Sequence, residues 1–137
     1  MKRSDFIRLS VGVVASVASA SALTTCNQTP TTGRTLRPGE VQHTVMFRLA
    51  TTPDTPQSQQ FIADGRRILS AIPVVQEFNA YRQVSSKTPQ YDFYFTMIFA
   101  NADDYNTYNN HPDHVGFVKE RWMKEVVAFQ EADFVAV

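Results

Sequence analysis

Two runs of alternating residues restrict what this chain can fold into. From Val41 to Leu49, the residues Val41, His43, Val45, Phe47 and Leu49 fall on one face of an extended strand, and Gln42, Thr44, Met46 and Arg48 on the other. From Tyr91 to Phe99, the residues Tyr91, Phe93, Phe95, Met97 and Phe99 share a face, and Tyr94, Thr96 and Ile98 form much of the other. Period-two patterning rich in aromatic side chains fits strands and not helices. Both faces carry apolar groups, so a sheet built from these strands needs cover on both sides.

The intervening segments have a different period. Thr51-Thr52-Pro53-Asp54 reads as a turn, followed by Thr55 as an N-cap and Pro56 at the first helical position. Phe61, Ile62, Ile68, Leu69 and Ile72 recur at helical spacing, which predicts an amphipathic helix from Gln57 to Ala71 that Pro73 ends. Val75 to Val84 is a weaker strand, and Ser85 to Gln90 a polar turn. Asn101 caps a helix from Ala102 to Asn110, with Asp103 and Asp104 placed where the helix dipole favours them. Pro112 restarts the helix. Val115, Val118, Trp122 and Met123 give this second run its apolar side. Val126 to Val137 closes the chain as a strand.

The order strand, helix, strand, strand, helix, strand is the split βαβ pattern. It predicts an α+β, ferredoxin-like domain with a four-stranded antiparallel sheet and helices on one face. The other face, bearing Met46, Tyr94 and Ile98, calls for a second layer. The simplest is another copy of the sheet related by a two-fold axis, so a homodimer is expected.

Composition removes several alternatives. The 137 residues carry a formal net charge of +0, which leaves no electrostatic footprint for nucleic acid. A single cysteine, Cys26, rules out an internal disulfide and a cysteine-built zinc site.

The first residues read as an export signal. Lys2, Arg3 and Arg8 precede the charge-free run Leu9 to Leu23, which is shorter than the ~20 apolar residues a membrane-spanning helix needs. Arg3-Ser4-Asp5-Phe6-Ile7-Arg8 resembles a twin-arginine signal whose second arginine is serine. Two processing sites compete: Ala20-Ser21-Ala22 fits ordinary signal cleavage, and Leu23-Thr24-Thr25-Cys26 resembles a bacterial lipobox that would lipidate Cys26. The lipoprotein is preferred, because an exported lone cysteine otherwise leaves a free thiol. The expected organisation is a signal peptide and lipobox over 1–26, a flexible Thr/Pro/Gly-rich linker over 27–39, and one domain over 40–137. The expected location is the bacterial cell envelope, periplasmic or held to the membrane only by a lipid at Cys26.

The chemistry concentrates in Tyr108-Asn-Asn-His-Pro-Asp-His-Val-Gly-Phe117. This stretch holds two of the three histidines, His111 and His114, beside the phenol of Tyr108. Tyr108 and His111 are three apart, as are His111 and His114, so neighbouring pairs can share a helix face. His43 lies on the apolar face of the opening strand. If that face is the one under the helices, His43, Tyr108 and His114 converge on a pocket walled by Phe93, Phe95, Val45 and Phe47. Apolar walls with a few convergent polar groups suit a small molecule. Each histidine also has a purely structural reading, as a cap or a satisfied core group. No i,i+4 histidine pair favours a metal.

The opening Val-Gln-His-Thr-Val-Met-Phe-Arg-Leu and the later His-Pro-Asp-His-Val-Gly-Phe resemble the stress-responsive α/β-barrel (Dabb) family over roughly Glu40 to Val137. The resemblance implies a ferredoxin-like subunit that dimerises through its sheet into an α/β barrel. Members include plant stress proteins and polyketide cyclases that close an aromatic ring by aldol condensation without a cofactor. In those cyclases the catalytic residues correspond to His114 and Tyr108, and the opening-strand histidine to His43. The expected ligand contacts are His43, His111, Phe93 and Phe95. As a base, His114 would remove a proton beside a carbonyl, and Tyr108 would donate to the oxygen that gains charge. Export makes a cytoplasmic polyketide a poor fit. Binding of a small apolar or aromatic molecule by a stress-responsive homodimer therefore ranks ahead of a cofactor-free lyase or cyclase. A monooxygenase of the related dimeric barrels, which lack this histidine pattern, ranks third.

Overall fold

The computed structural model describes residues 34–137. The expected signal peptide, both processing sites, Cys26 and the linker through residue 33 lie outside them.

The described chain runs β1 (Val41–Leu49), α1 (Pro56–Leu69), β2 (Gln76–Arg82), β3 (Phe93–Phe99), α2 (Ala102–Asn110) and α3 (Pro112–Phe117). A π-helical turn (Val118–Trp122) and a last α-turn (α4, Met123–Glu125) lead into β4 (Val126–Phe134). The sheet order is β2-β3-β1-β4, with every neighbouring pair antiparallel. This is the ferredoxin-like α+β arrangement expected from the alternation. Among the described residues no helix is long and apolar enough to cross a membrane.

The central pair sets the two faces. His43 lies opposite Met97, Val45 opposite Phe95 and Phe47 opposite Phe93. All six are buried, and they form the helix-covered face. Phe47 is at its centre, with ring centroids 4.8 Å from Phe95, 4.9 Å from Trp122 and 5.7 Å from Phe61. On the opposite face Thr44 lies across from Thr96 and Met46 from Tyr94. There Gln42 Nε2 donates to Thr96 Oγ1 at 3.0 Å.

Local chemistry explains the helix ends. Thr55 accepts a hydrogen bond from the Ser58 amide and Asn101 one from the Asp104 amide, which satisfies amides the helices leave orphaned. α1 stops at Leu69 rather than Ala71, because the Ile72 amide turns back to the Leu69 carbonyl just ahead of Pro73. β4 stops at Phe134 rather than Val137.

The second helical run departs from simple α periodicity. Val115 is 51 % exposed, whereas Phe117, which α spacing did not single out, is 4 % exposed. The π-turn is the physical reason. A π-helix bonds i to i+5 and so brings residues five apart to one side. Phe117 and Trp122 consequently both pack on Phe61, at 5.4 and 6.1 Å.

Residues 34–39, read from sequence as the end of the linker, are tied to the domain. The Arg34 guanidinium donates to both Glu40 carboxylate oxygens and also to Glu77 on β2. Glu77 sits at φ 52°, where β2 shifts register against β3.

Candidate functional site

The polar stretch at the end of α2 owes its shape to Pro112. Proline disfavours the helical conformation in the residue before it, and His111 is extended there, at φ −65° and ψ 134°. The break ends α2 and starts α3. His111 becomes the cap of the new helix, its Nδ1 accepting from the Asp113 amide at 3.2 Å. That role faces it away from the cavity described next, whose wall does not include it.

One turn later the chain folds His114 back onto α2. Its ring centroid lies 4.2 Å from that of Tyr108, and its Nδ1 is 3.1 Å from the Asn109 carbonyl oxygen. A carbonyl can only accept, so Nδ1 carries the proton and donates it. In the neutral imidazole, Nε2 is then the basic lone pair. Burial, the largest influence, pushes the His114 pKa below the usual histidine value, and the nearby His43 adds to this. The neutral base is therefore the favoured form.

Tyr108 is 2 % exposed and packs on Phe99 at 5.0 Å. Burial pushes its phenol well above the ordinary range, so it stays a protonated donor. Among the described residues its hydroxyl has no hydrogen-bond partner, yet it is not sealed from open space.

His43 reaches the same neighbourhood from β1. Its ring is 6.3 Å from that of Tyr108. Its Nδ1 lies 2.6 Å from Asp133 Oδ1 and 3.0 Å from the Tyr105 hydroxyl, which donates to Asp133 Oδ2 at 3.1 Å. The carboxylate fixes the proton on Nδ1, the arrangement that orients a histidine in catalytic triads. Tyr105 is pushed up to about 12, first by burial and then by the charge of Asp133.

These groups border a cavity of about 560 Å³ between the sheet and the second helical run. Its apolar wall includes Val45, Phe95, Met97, Phe117, Trp122 and Phe129, and its polar contributions come from His43, Tyr108, His114 and Glu131. The volume lies in the range of small-molecule sites, and the wall has their character. Phe95 lies in this wall; Phe93 instead packs on Phe47 at 5.6 Å and borders a shallower groove beside α1. Among the described residues no group of three or more His, Cys, Asp or Glu is placed to hold a metal.

Asp133, Tyr105 and Glu131 were not singled out from the sequence. The signal for two of them lay in the pairing of β4 with β1. That register places Asp133 opposite His43 and Glu131 opposite Val45, on the helix-side face. Tyr105 stands three residues before Tyr108, one turn back on the same helix side.

Comparison with known proteins agrees with the fold. The model of the stress responsive A/B barrel domain matches residues 41–136. No curated protein matches the chain. Among solved structures, a Dabb family protein with a ferredoxin-like fold from Mesorhizobium loti is 43 % identical, with a TM-score of 0.70, over 72 % of this chain and 98 % of that one. A dimeric ferredoxin-like protein of unknown function from Bacteroides fragilis is 20 % identical, TM-score 0.56, over 74 % of this chain and 99 % of that one. The hydroxynitrile lyase of Passiflora edulis is 17 % identical, TM-score 0.64, over 74 % of this chain and 96 % of that one. The last two likenesses concern the fold alone.

Proposed function

We propose, from the premise that this chain belongs to the stress responsive A/B barrel domain family, that it is an exported homodimer binding a small apolar or aromatic molecule in the cavity under its helices. The observation that carries the reading is the pair of open polar atoms in an apolar wall. The Tyr108 hydroxyl and His114 Nε2 have no protein partner among the described residues, and their rings are 4.2 Å apart at the cavity. Open polar groups in an apolar pocket orient a ligand.

The dimer reading rests on the sheet face opposite the helices, which bears Met46 and Tyr94 as a cross-strand pair. The dimeric description of a solved structure of the same fold is in keeping with it. Export rests on the sequence pattern before residue 27. Metabolic lipid labelling tests it: the label should follow Cys26, and a Cys26→Ala protein that keeps the label would refute the anchor.

A second reading, a cofactor-free lyase or cyclase, is favoured by the His114 tautomer. Nε2 takes a proton from a carbon beside a carbonyl, and the Tyr108 hydroxyl hydrogen-bonds the enolate oxygen. In a cyclase the enolate carbon attacks a second carbonyl carbon of the same molecule, whose π bond breaks, and the imidazolium protonates the resulting alkoxide. In a lyase the enolate expels a group from the adjacent carbon, and the imidazolium protonates that group as it leaves.

Ligand screening by thermal shift on wild type and His114→Ala tests the shared site. A ligand at about a hundred times its Kd stabilises by about 2.7 kcal/mol. The response should fall in the variant. Identical responses would remove His114 from the site.

A further inference from the structure

The cavity is apolar except at its polar end, and one of the groups there has no structural duty. Glu131 lines the cavity from β4, opposite Val45, and makes no salt bridge among the described residues. Its neighbour on the same face, Asp133, is committed to His43 and Tyr105. The cavity wall therefore presents one carboxylate, Glu131, which no described cation pairs. Neither cavity histidine pairs with it: His43 is held by Asp133, and burial pushes His114 toward its neutral form. Deeper in the same cavity, the buried Tyr108 hydroxyl lacks a partner and faces open space.

The wall near this end is also aromatic. Trp122 and Phe129 meet edge to face at 5.8 Å, and both line the cavity. A carboxylate beside aromatic faces attracts an organic cation twice over, by charge and by the ring quadrupole. The same carboxylate repels an anion.

We propose that the cavity selects a compound with an apolar or aromatic body and a protonated amine, the amine seated against Glu131 and the body between Trp122 and the sheet. Compounds ending in a carboxylate at that position are rejected. The inference rests on the ligand-cavity reading above and assigns Glu131 as its specificity-determining residue.

A matched series tests it: phenylbutylamine, phenylbutanol and phenylbutyrate share a body and differ in the charge of the end group. The chain's single tryptophan, Trp122, stands in the cavity wall, so its fluorescence reports occupancy in the full-length protein. The amine should bind roughly tenfold tighter than the acid, with the alcohol between, as a close charge pair at a wet surface gives. Added salt should narrow that ratio. Glu131→Gln should bring the three probes close together, and Glu131→Asp should restore the order. Equal binding of the probes to wild type, or a preference that Glu131→Gln leaves unchanged, overturns the assignment while the cavity reading stands. If no probe perturbs Trp122 in wild type, the cavity reading itself fails and this inference with it.

Discussion

Gly65 tests whether the helix layer is packed as tightly as the cavity requires. It lies inside α1, where glycine is a poor helix former, and alanine there would ordinarily gain about 1 kcal/mol. A Cβ built on Gly65 would stand 2.9 Å from Phe95 Cε2, 3.0 Å from Phe95 Cζ and 3.3 Å from Phe117 Cζ. Carbon atoms in contact prefer about 3.5–4.0 Å, so both rings must give. Phe95 is 0 % exposed and held by Phe47 at 4.8 Å and Phe78 at 5.1 Å. Overpacking of this kind costs about 1–3 kcal/mol. The ring shift opposes the propensity gain, and Gly65→Ala is expected to destabilise by about 1 kcal/mol net. For a domain of this size that lowers Tm by about 4–8 °C. Phe95 and Phe117 also line the cavity, so the shift should narrow it and weaken probe binding. Urea unfolding read by circular dichroism, with unchanged m-value, measures the first effect, and Trp122 fluorescence the second. A Gly65→Ala protein more stable than wild type would refute the close approach of α1 to the sheet.

Three further outcomes are expected. Phe117→Ala should cost about 3–5 kcal/mol while Val115→Ala stays within about 0.5, because the π-turn buries the first and exposes the second; the reverse order in urea melts would overturn the register of this run. Arg121, and after it Arg67, hold the Asp64 carboxyl down to about 2, below its unfolded value of about 3.9. The stability this contributes is complete above the unfolded value and lost as pH falls toward the folded one, so Asp64→Asn should show a shallower loss over that acid window in urea midpoints against pH. Nitrogen NMR should find His114 neutral at pH 7 with the proton on Nδ1. Its Nε2 should lose acceptor character only as pH falls through a pKa below the usual histidine value, in the field of His43, Glu131 and His111; a dominant Nε2–H form would contradict the Asn109 bond.

The fold was legible because the strongest patterns are local. Period-two alternation over Val41–Leu49 forces His43, Val45 and Phe47 to one face, whatever the partner strand. The caps at Thr55 and Asn101 and the break at Pro112 are likewise readable from a few neighbouring residues. The register of the second helical run was not. A π-turn leaves no mark in an α-periodic pattern, so Val115 looked internal and Phe117 did not. Half of the site was similarly out of reach. That Asp133 meets His43 depends on β4 pairing with β1 rather than β2, a long-range choice between strands ninety residues apart. The phenol beside His43 is both Tyr105 and Tyr108, one bonded to it and one tilted against it farther off, and sequence spacing favoured only the second.

The structural and chemical readings of His114 are not alternatives. When Pro112 ends α2, the helix leaves its last carbonyls without amide partners. The His111 amide satisfies Tyr108, and the His114 side chain satisfies Asn109. That second bond is enough to explain a histidine at this position on stability grounds alone. The same bond consumes one nitrogen and fixes the proton there, so the other is left as a lone pair facing the cavity beside an unpartnered phenol. An asparagine or glutamine could have satisfied the carbonyl with its amide donor but would offer an oxygen of negligible basicity as the remaining group. The break that shapes the helix thus prepares the base. On the proposed ligand site, removing His114 should cost both stability and ligand response, and a variant that keeps the donor, such as His114→Gln, separates the two.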